Sequence, residues 1–558
     1  MPALPEHLLL TGPERIRALD GLALLLLASG LAALYGPHLD APLVFDDIDF
    51  FASNFVARYG GEFSPLMLRF WAYASFAFQH IVFGNDAAGF RLVNVALHLM
   101  VGASLYLFMR TLLGIALPGP LESGTAPGSD FGQCLAIWFS VALFLFHPIT
   151  VYGVAYLVGR SVVMATLFSL LMWWAHLRGV DSGKPAWFAL ALLFYYLALY
   201  SKEHSVMAPA VAGLLSLLAA RVVARRGLLV LVFLSYLALA VTVLIAHRET
   251  IANAYEPLLG TIPHAYLASV LTQAALFFKY LFLWWIPLPS LMSIDMREPL
   301  AGIGTVSAWL WLAGFIVYLT AAFGLLLRKG RIGLLGFALL APALLFMTEF
   351  SSVRIQESFV LSRSYLWLPP MFLAWPLMFG LIRDRRWLWL LVMALAALLC
   401  CLAVNRLNTF ASAFTLWDEA IQLAERRGDT WFRDRQYVNR GGTYLATGQV
   451  QLALQDFERA LQWNPTQALA LLGQGRALAR LGKTQQALVS YDQALVAKPG
   501  WVEAYLARAE LRSKSGETAA AAADYRQACA QGVLVACYVA EKMRLGTNAA
   551  VTIFPSSH

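Results

Sequence analysis

Long apolar runs separated by short polar stretches occupy the first 405 or so residues. After them the pattern changes to apolar and polar positions mixed at helical spacing. About 20 apolar residues are enough for a helix to cross ~30 Å of hydrocarbon. On that measure the predicted spans are Leu19 to Tyr35, Ala88 to Leu113, Gly132 to Phe146, Val151 to Ala175, Ala186 to Tyr200 and Ser205 to Val222. Leu228 to Ala246, Thr305 to Leu327, Ile332 to Met347, Tyr365 to Leu381 and Trp387 to Leu402 complete the set. Two further apolar segments read differently. Gln273 and Lys279 interrupt Ala265 to Trp285, which is expected to lie at or dip into the outer leaflet. Pro65 to Phe83 carries Arg69, Gln79 and His80 and is expected as an interfacial helix.

Charge gives these spans a direction. Arg110, Arg178 with Lys184, Arg221 with Arg225 and Arg226, Arg328 with Lys329 and Arg331, and Arg383 with Arg385 and Arg386 fall at alternate span ends. The positive-inside rule makes those ends cytoplasmic, so about eleven crossings start inside and finish outside. The chain of 558 residues is 59% hydrophobic and 13% charged, with a mean hydropathy of +0.64. That composition belongs to a polytopic membrane protein. The net charge of +8 comes from residues clustered at span ends, which excludes nucleic acid as the partner and points to the lipid bilayer. Arg15 and Arg17 precede the first span, which is read as an uncleaved transmembrane helix because many more follow.

The polar carboxy-terminal part repeats itself every 34 residues. Gly448, Gly482 and Gly516 share this period, as do Ala453, Ala487 and Ala521; Phe457, Tyr491 and Tyr525; and Ala460, Ala494 and Ala528. Pro465 and Pro499 close the pattern. A turn glycine, small packing residues, an aromatic and a closing proline at this period resemble the tetratricopeptide repeat, a helix pair that must stack on its neighbours to bury its apolar face. The predicted organisation is a membrane domain at 1–408, a connecting and capping helix at 409–433, three repeats at 434–535 and a capping helix with a tail at 536–558. The concave face of such an array holds a peptide or an accessory protein; a spacer or dimerisation role is the plainer alternative.

Cys529 and Cys537 flank a helix turn containing Gly532, and a similar spacing occurs in the disulfide-bearing Sel1-like relatives of these repeats. A disulfide there implies an oxidising compartment. Asn464-Pro465-Thr466 is excluded as a glycosylation sequon by its proline, which favours a bacterial inner membrane with a periplasmic repeat domain.

Polar residues gather at the outward ends of the spans. Asp46, Asp47, Asp49 and Asn54 lie in the first loop, and Arg58, Glu62, Arg69, Arg91, Asn94 and His98 follow. Val44-Phe-Asp-Asp47 with Asn54, Ser64-Pro-Leu, Phe90-Arg-Leu-Val-Asn-Val-Ala-Leu-His98, Phe146-His-Pro and Gly159-Arg160 come in that order. After them stand Ser201-Lys-Glu203, Pro287-Leu-Pro-Ser-Leu-Met-Ser-Ile-Asp295 and Tyr365-Leu-Trp-Leu-Pro369. The series, with the repeats behind it, resembles the transmembrane and tetratricopeptide-repeat-containing glycosyltransferases of the GT-C class. It departs from them in having Arg363-Ser364 where a Glu-Arg pair is common, and in its short repeat array. The expected fold is all-α, a polytopic GT-C-like helical domain followed by an α-solenoid.

The resemblance implies transfer of a sugar from a polyprenyl-phosphate carrier to an acceptor hydroxyl, with inversion, at the outer face. An alcohol is a poor nucleophile and needs a carboxylate to take its proton, for which Asp46 and Asp47 are equal candidates. The pair also has a plainer reading as a helix cap. Cations stabilise a leaving phosphate, and Arg160, Lys202 and Arg363 lead, with Arg69 and Arg91 behind them. Each alone also reads as an interfacial anchor. His98 and His147 add possible hydrogen bonds, Glu203 is expected as a latch beside Lys202, and Tyr365 belongs to the same group. No ligand spacing for zinc occurs, while a divalent cation shared by Asp46 or Asp47 with the donor phosphate stays open. Ser or Thr of a protein is the preferred acceptor. A non-enzymatic scaffold and a lipid-linked sugar transporter are the alternatives.

Overall fold

The computed structural model describes residues 12–84, 86–117, 129–219, 226–248, 262–351, 353, 357–379, 385–429 and 433–544. Arg221, Arg225, Arg383 and the tail 545–558 lie outside them. The described elements are helical, apart from an isolated antiparallel bridge between Met296 and Phe359. The chain divides into two units, Met1–Ala411 and Ser412–His558.

In the first unit the helices are α1 Gly12–Tyr35, α2 Asp46–Ala52, α3 Phe55–Gly60, α4 Phe70–Phe83, α5 Ala87–Ala116 and α6 Ser129–Leu145. Then come α7 Pro148–Val154, α8 Arg160–Ser182, α9 Pro185–Leu199, α10 Ala208–Leu218 and α11 Arg226–Ala246. α12 Ala265–Trp285, α13 Val306–Leu327, α14 Gly330–Phe346, α15 Ala374–Phe379 and α16 Arg385–Thr409 complete it. Eight helices among the described residues have the length and composition to cross a membrane, or nine if the bent pair α6 and α7 counts as one span. This corrects the expected eleven.

Backbone chemistry explains the difference. At His147-Pro148 the chain bends by 63° between α6 and α7, where proline has no N–H to continue the ladder. Tyr365 to Leu381, expected as one span, instead forms 3₁₀ turns at Leu361–Tyr365 and Pro369–Leu373 before the six-residue α15. Pro369, Pro370 and Pro376 withhold three donors along that stretch. α9 and α10, at 15 and 11 residues, are shorter than a crossing requires. α12, the segment expected at or dipping into the outer leaflet, is an unbroken 21-residue helix of spanning length. Gln273 donates to the Ser358 carbonyl at 3.0 Å, and Lys279 is ion-paired with Glu298, so each interruption has a partner within the protein.

Close packing in this unit uses small residues, as expected where lipid offers no contrast in hydrophobicity. A Cβ on Gly336 of α14 would collide with the backbone of Leu325 and Leu326 in α13. Polar groups add specific joints. Asp20 of α1 accepts from Tyr106 of α5 at 2.6 Å and from Trp138 of α6 at 2.8 Å, tying three helices together.

In the second unit α17 Ala413–Arg427, α18 Arg433–Ala446, α19 Val450–Trp463, α20 Ala468–Arg480 and α21 Thr484–Ala497 form antiparallel neighbours. α22 Val502–Lys514, α23 Thr518–Ala530 and α24 Leu534–Arg544 continue the stack. The turn glycines Gly448, Gly482 and Gly516 have φ of 78°, 76° and 80°, a region that side chains disfavour. Phe457, Tyr491 and Ala453, Ala487 and Ala494 share one apolar core. α17 is closed by a Ser412–Thr415 capping box and joins the stack through Tyr437, whose hydroxyl donates to Glu425 at 2.7 Å. Cys529 at the end of α23 and Cys537 in α24 form a disulfide across the Gly532 turn, with Cα atoms 4.7 Å apart.

One buried joint recurs in two forms. Arg440 binds Asp456 through two bonds of 2.8 Å, and Arg508 binds Asp524 in the same way at 2.9 and 2.6 Å. In the middle repeat the equivalent positions hold Gln474 and Ser490, bonded at 3.0 Å. Arg440→Gln alone leaves the Asp456 carboxylate, 3% exposed, without its main partner. It should lower the opening free energy of α19 by roughly 3 kcal/mol in hydrogen exchange of the full chain. Arg440→Gln with Asp456→Ser, which copies the middle repeat, should recover most of the loss; equal exchange in the single and double variants would contradict this.

Candidate functional site

Asp46 and Asp47 open α2, yet they have different surroundings. The Asp47 side chain is fully buried and accepts from the backbone N–H of Val158 at 2.9 Å and of Leu157 at 3.3 Å. These amides belong to the 3₁₀ turn Leu157–Gly159 that leads into α8. Asp47 is thus a cap, but of a helix more than 100 residues away rather than of its own. Asp46 is exposed, and its charge acts on the neighbouring Tyr156 phenol. Burial and the Asp46 and Asp47 charges push the Tyr156 phenol well above its ordinary value, keeping it a donor. Phe45, immediately before the pair, holds φ at 52°, and its ring meets Tyr156 edge-on at 6.4 Å.

Arg91 fixes the entry to this loop by donating to the carbonyls of Leu39 and Pro42, both at 2.7 Å. Arg160 is buried with its guanidinium 3.6 Å from the centre of the Phe76 ring. It donates to Asn94 at 2.7 Å, Ser75 at 3.1 Å, Gln79 at 3.2 Å and the Phe90 carbonyl at 2.8 Å. Both arginines were expected to meet a phosphate; the structure instead commits them to joining α4, α5, α8 and the acidic loop. His98 bridges the Tyr365 hydroxyl at 2.5 Å and the Leu145 carbonyl at 2.9 Å, and both of these side chains are buried. His147 accepts from the Ile149 amide at 3.3 Å at the start of α7. His98, Tyr365 and His147, expected at the donor site, are placed inside the bundle with these contacts.

The remaining predicted cations do come together. Arg69 grips Glu203 through bonds of 2.6 and 3.1 Å, and Lys202 lies 3.8 Å from the same carboxylate. His204 stands between Glu203 at 3.6 Å and Glu349 at 3.3 Å. Arg363 then meets Glu349 at 3.3 Å and Glu357 at 2.6 Å. Arg69 also donates to the Tyr73 hydroxyl at 3.5 Å. A chain of polar side chains therefore runs from Tyr73 through Arg69, Glu203, His204 and Glu349 to Arg363. Arg69 holds φ at 60°, the second strained residue of the site after Phe45.

Tyr73, Tyr156 and Glu349 were not among the residues expected from the sequence, whereas His204 was expected in the outward turn with Lys202 and Glu203. Glu349 carried a usable signal, an acid at the end of an apolar span. Tyr156 carried none, because its role depends on the fold bringing α2 to it. Among the described residues no three His, Cys, Asp or Glu side chains converge in a metal-binding group. Both Asp47 oxygens already accept amide hydrogens, so the acidic pair does not offer two unengaged carboxylates to a cation.

Residues 435–467 match the family model described as Tetratricopeptide repeat. No curated protein matches the chain. Together with the apolar helices this makes the protein a multi-span membrane protein carrying tetratricopeptide repeats.

Burial pushes the Asp47 carboxyl up to about 7, against the opposing pull of the Val158 and Leu157 amides and the Arg91 charge. Because the folded value exceeds the ordinary one of 3.8, its contribution to docking the loop is fully present below that value. It is lost as the pH rises through about 7. Hydrogen-exchange protection of the segment Tyr156 to Val158 should fall across this window, and Asp47→Asn should flatten the fall. An identical pH slope in the variant would refute the assignment.

Proposed function

We propose that the protein transfers a sugar from a polyprenyl-phosphate donor to an acceptor hydroxyl at the membrane surface, with Asp46 as the general base. The observation that carries this reading is an exposed carboxylate, Asp46, beside the buried anchor Asp47, in a unit where three of the expected cations gather on two carboxylates. The order of motifs shared with GT-C glycosyltransferases supports it. In the reaction the acceptor oxygen bonds to the anomeric carbon as the carbon–oxygen bond to the lipid phosphate breaks. Asp46 takes the hydroxyl proton, and the electron pair leaves on the phosphate.

Arg69, Lys202 and Arg363 are the cations that would meet this phosphate. Each is paired with a carboxylate, so the donor must compete with Glu203 or Glu349 for them. Asp47 acts as a positioning residue that holds the loop carrying Asp46. A divalent cation, where one takes part, would have Asp46 and the donor phosphate as ligands.

The Cys529–Cys537 disulfide supports an oxidising location for the repeats, hence a periplasmic side in a bacterial inner membrane. The repeats are read as the docking site for a protein, whose Ser or Thr is the preferred acceptor. That same domain favours a second reading, a scaffold without catalysis.

The test uses the purified full chain with a polyprenyl-phosphate sugar and an acceptor protein. Asp46→Asn should lower turnover about 10²- to 10⁴-fold while the melting temperature is retained. Undiminished turnover in that variant would remove Asp46 from the chemistry, and no transfer by the native protein across sugars and acceptors would favour the scaffold.

A further inference from the structure

Four helices that end at the polar site also enclose a cavity at their far ends. Arg91 and Arg160 lie near the beginnings of α5 and α8, His204 lies in the 3₁₀ turn before α10, and Glu349 in the one after α14. At about 1.5 Å per residue, the opposite ends of α5, α8 and α14 are roughly 25–35 Å from these residues, and that of the shorter α10 is roughly 20 Å from His204. There they surround a cavity of about 980 Å³. Its lining includes Arg110 of α5, Arg178 and Asp181 of α8, Leu218 of α10 and Lys329 at the start of α14. Gly114, Ala116, Ala219 and Gly330 line it too, and their small side chains leave the space open.

The charges around this cavity are arranged for an anion. Among the described lining residues three basic side chains face one acid, Asp181. Asp20 is already bonded by Tyr106 and Trp138, and its other oxygen lies 3.4 Å from Arg110, which orients that guanidinium without enclosing it. Arg178 is held over the Trp187 ring at 5.5 Å. Lys329 keeps φ at 56° and ψ at −177°, a conformation almost confined to glycine, so this backbone is constrained at the cavity rim. Basic residues that only orient spans need no cavity between them.

The volume suits a whole head group better than a bare ion, since ligand pockets run to ~300–1,000 Å³. The ends of spanning helices also lie at head-group depth. We propose that this cavity binds the phosphate head group of an anionic membrane lipid, on the face opposite the polar site. The inference is independent of the transfer reaction.

Native mass spectrometry of the full chain, titrated with phosphatidylglycerol, phosphatidylcholine or inorganic phosphate, tests it. Phosphatidylglycerol should be retained in preference to phosphatidylcholine. The combined Arg110→Gln, Arg178→Gln and Lys329→Gln variant should bind it about 100-fold more weakly. Asp181→Asn, a change at an exposed carboxylate, should tighten it about fivefold. The melting temperature in phosphatidylcholine checks the fold of the triple variant; if that variant fails to fold, the Asp181→Asn result decides. Equal retention of the two lipids, an undiminished triple variant, or unchanged affinity in Asp181→Asn would each overturn the proposal. Saturable inorganic phosphate binding without lipid preference would assign the site to a free anion instead and overturn the lipid.

Discussion

A polar group enclosed in a helical bundle persists only where hydrogen bonds replace its lost hydration, and the start of α8 depends on two such groups, the Asp47 carboxyl and the Arg160 guanidinium. Asp47 takes up the amides of Leu157 and Val158, and Arg160 spends its donors on Asn94, Ser75, Gln79 and Phe90. The acceptors around Arg160 are neutral, so its charge is solvated by dipoles and the Phe76 face rather than cancelled by a carboxylate. Removing either side chain would leave unpaired polar groups in an apolar surrounding, which costs more than the bonds contribute in water. The acidic loop, α4, α5 and α8 are therefore fixed to one another before any substrate chemistry is considered.

That fixed frame separates the two acids by function. Asp47 is used up by the fold, and its neighbour is left exposed beside Tyr156. The neighbouring cations are also occupied: Glu203 and Glu349 hold Arg69, Lys202 and Arg363 in a balanced network. Under the proposed reaction such pairing keeps the arginines ordered between turnovers and gives a phosphate an advantage over weaker ligands, because only a strong acceptor displaces a carboxylate. His204, between two carboxylates, couples the halves of the network.

The repeat unit follows a simpler rule. Its period repeats glycine turns and aromatic packing, and a polar joint recurs at the same two positions, either as Arg with Asp or as Gln with Ser. The substitution preserves a satisfied pair while changing its charge, so the helices stack alike with different polar chemistry inside.

The sequence by itself determined the all-α class, the multi-span character and the repeat period, because hydropathy and periodicity are local properties that need no knowledge of distant contacts. It also brought out Asp46 and Asp47 through their position next to a membrane span. Lys202 and Glu203 suggested a latch through adjacency, but Arg69 forms the shorter and bidentate contact from 134 residues away. The number of spans fell because prolines and short helices broke runs that hydropathy alone joined. Only the tertiary structure distinguished Asp46 from Asp47 and turned Arg91, His98 and Arg160 into struts. Solvent exposure and hydrogen-bond partners arise when distant segments meet, and two adjacent identical residues carry no local signal of which will be buried.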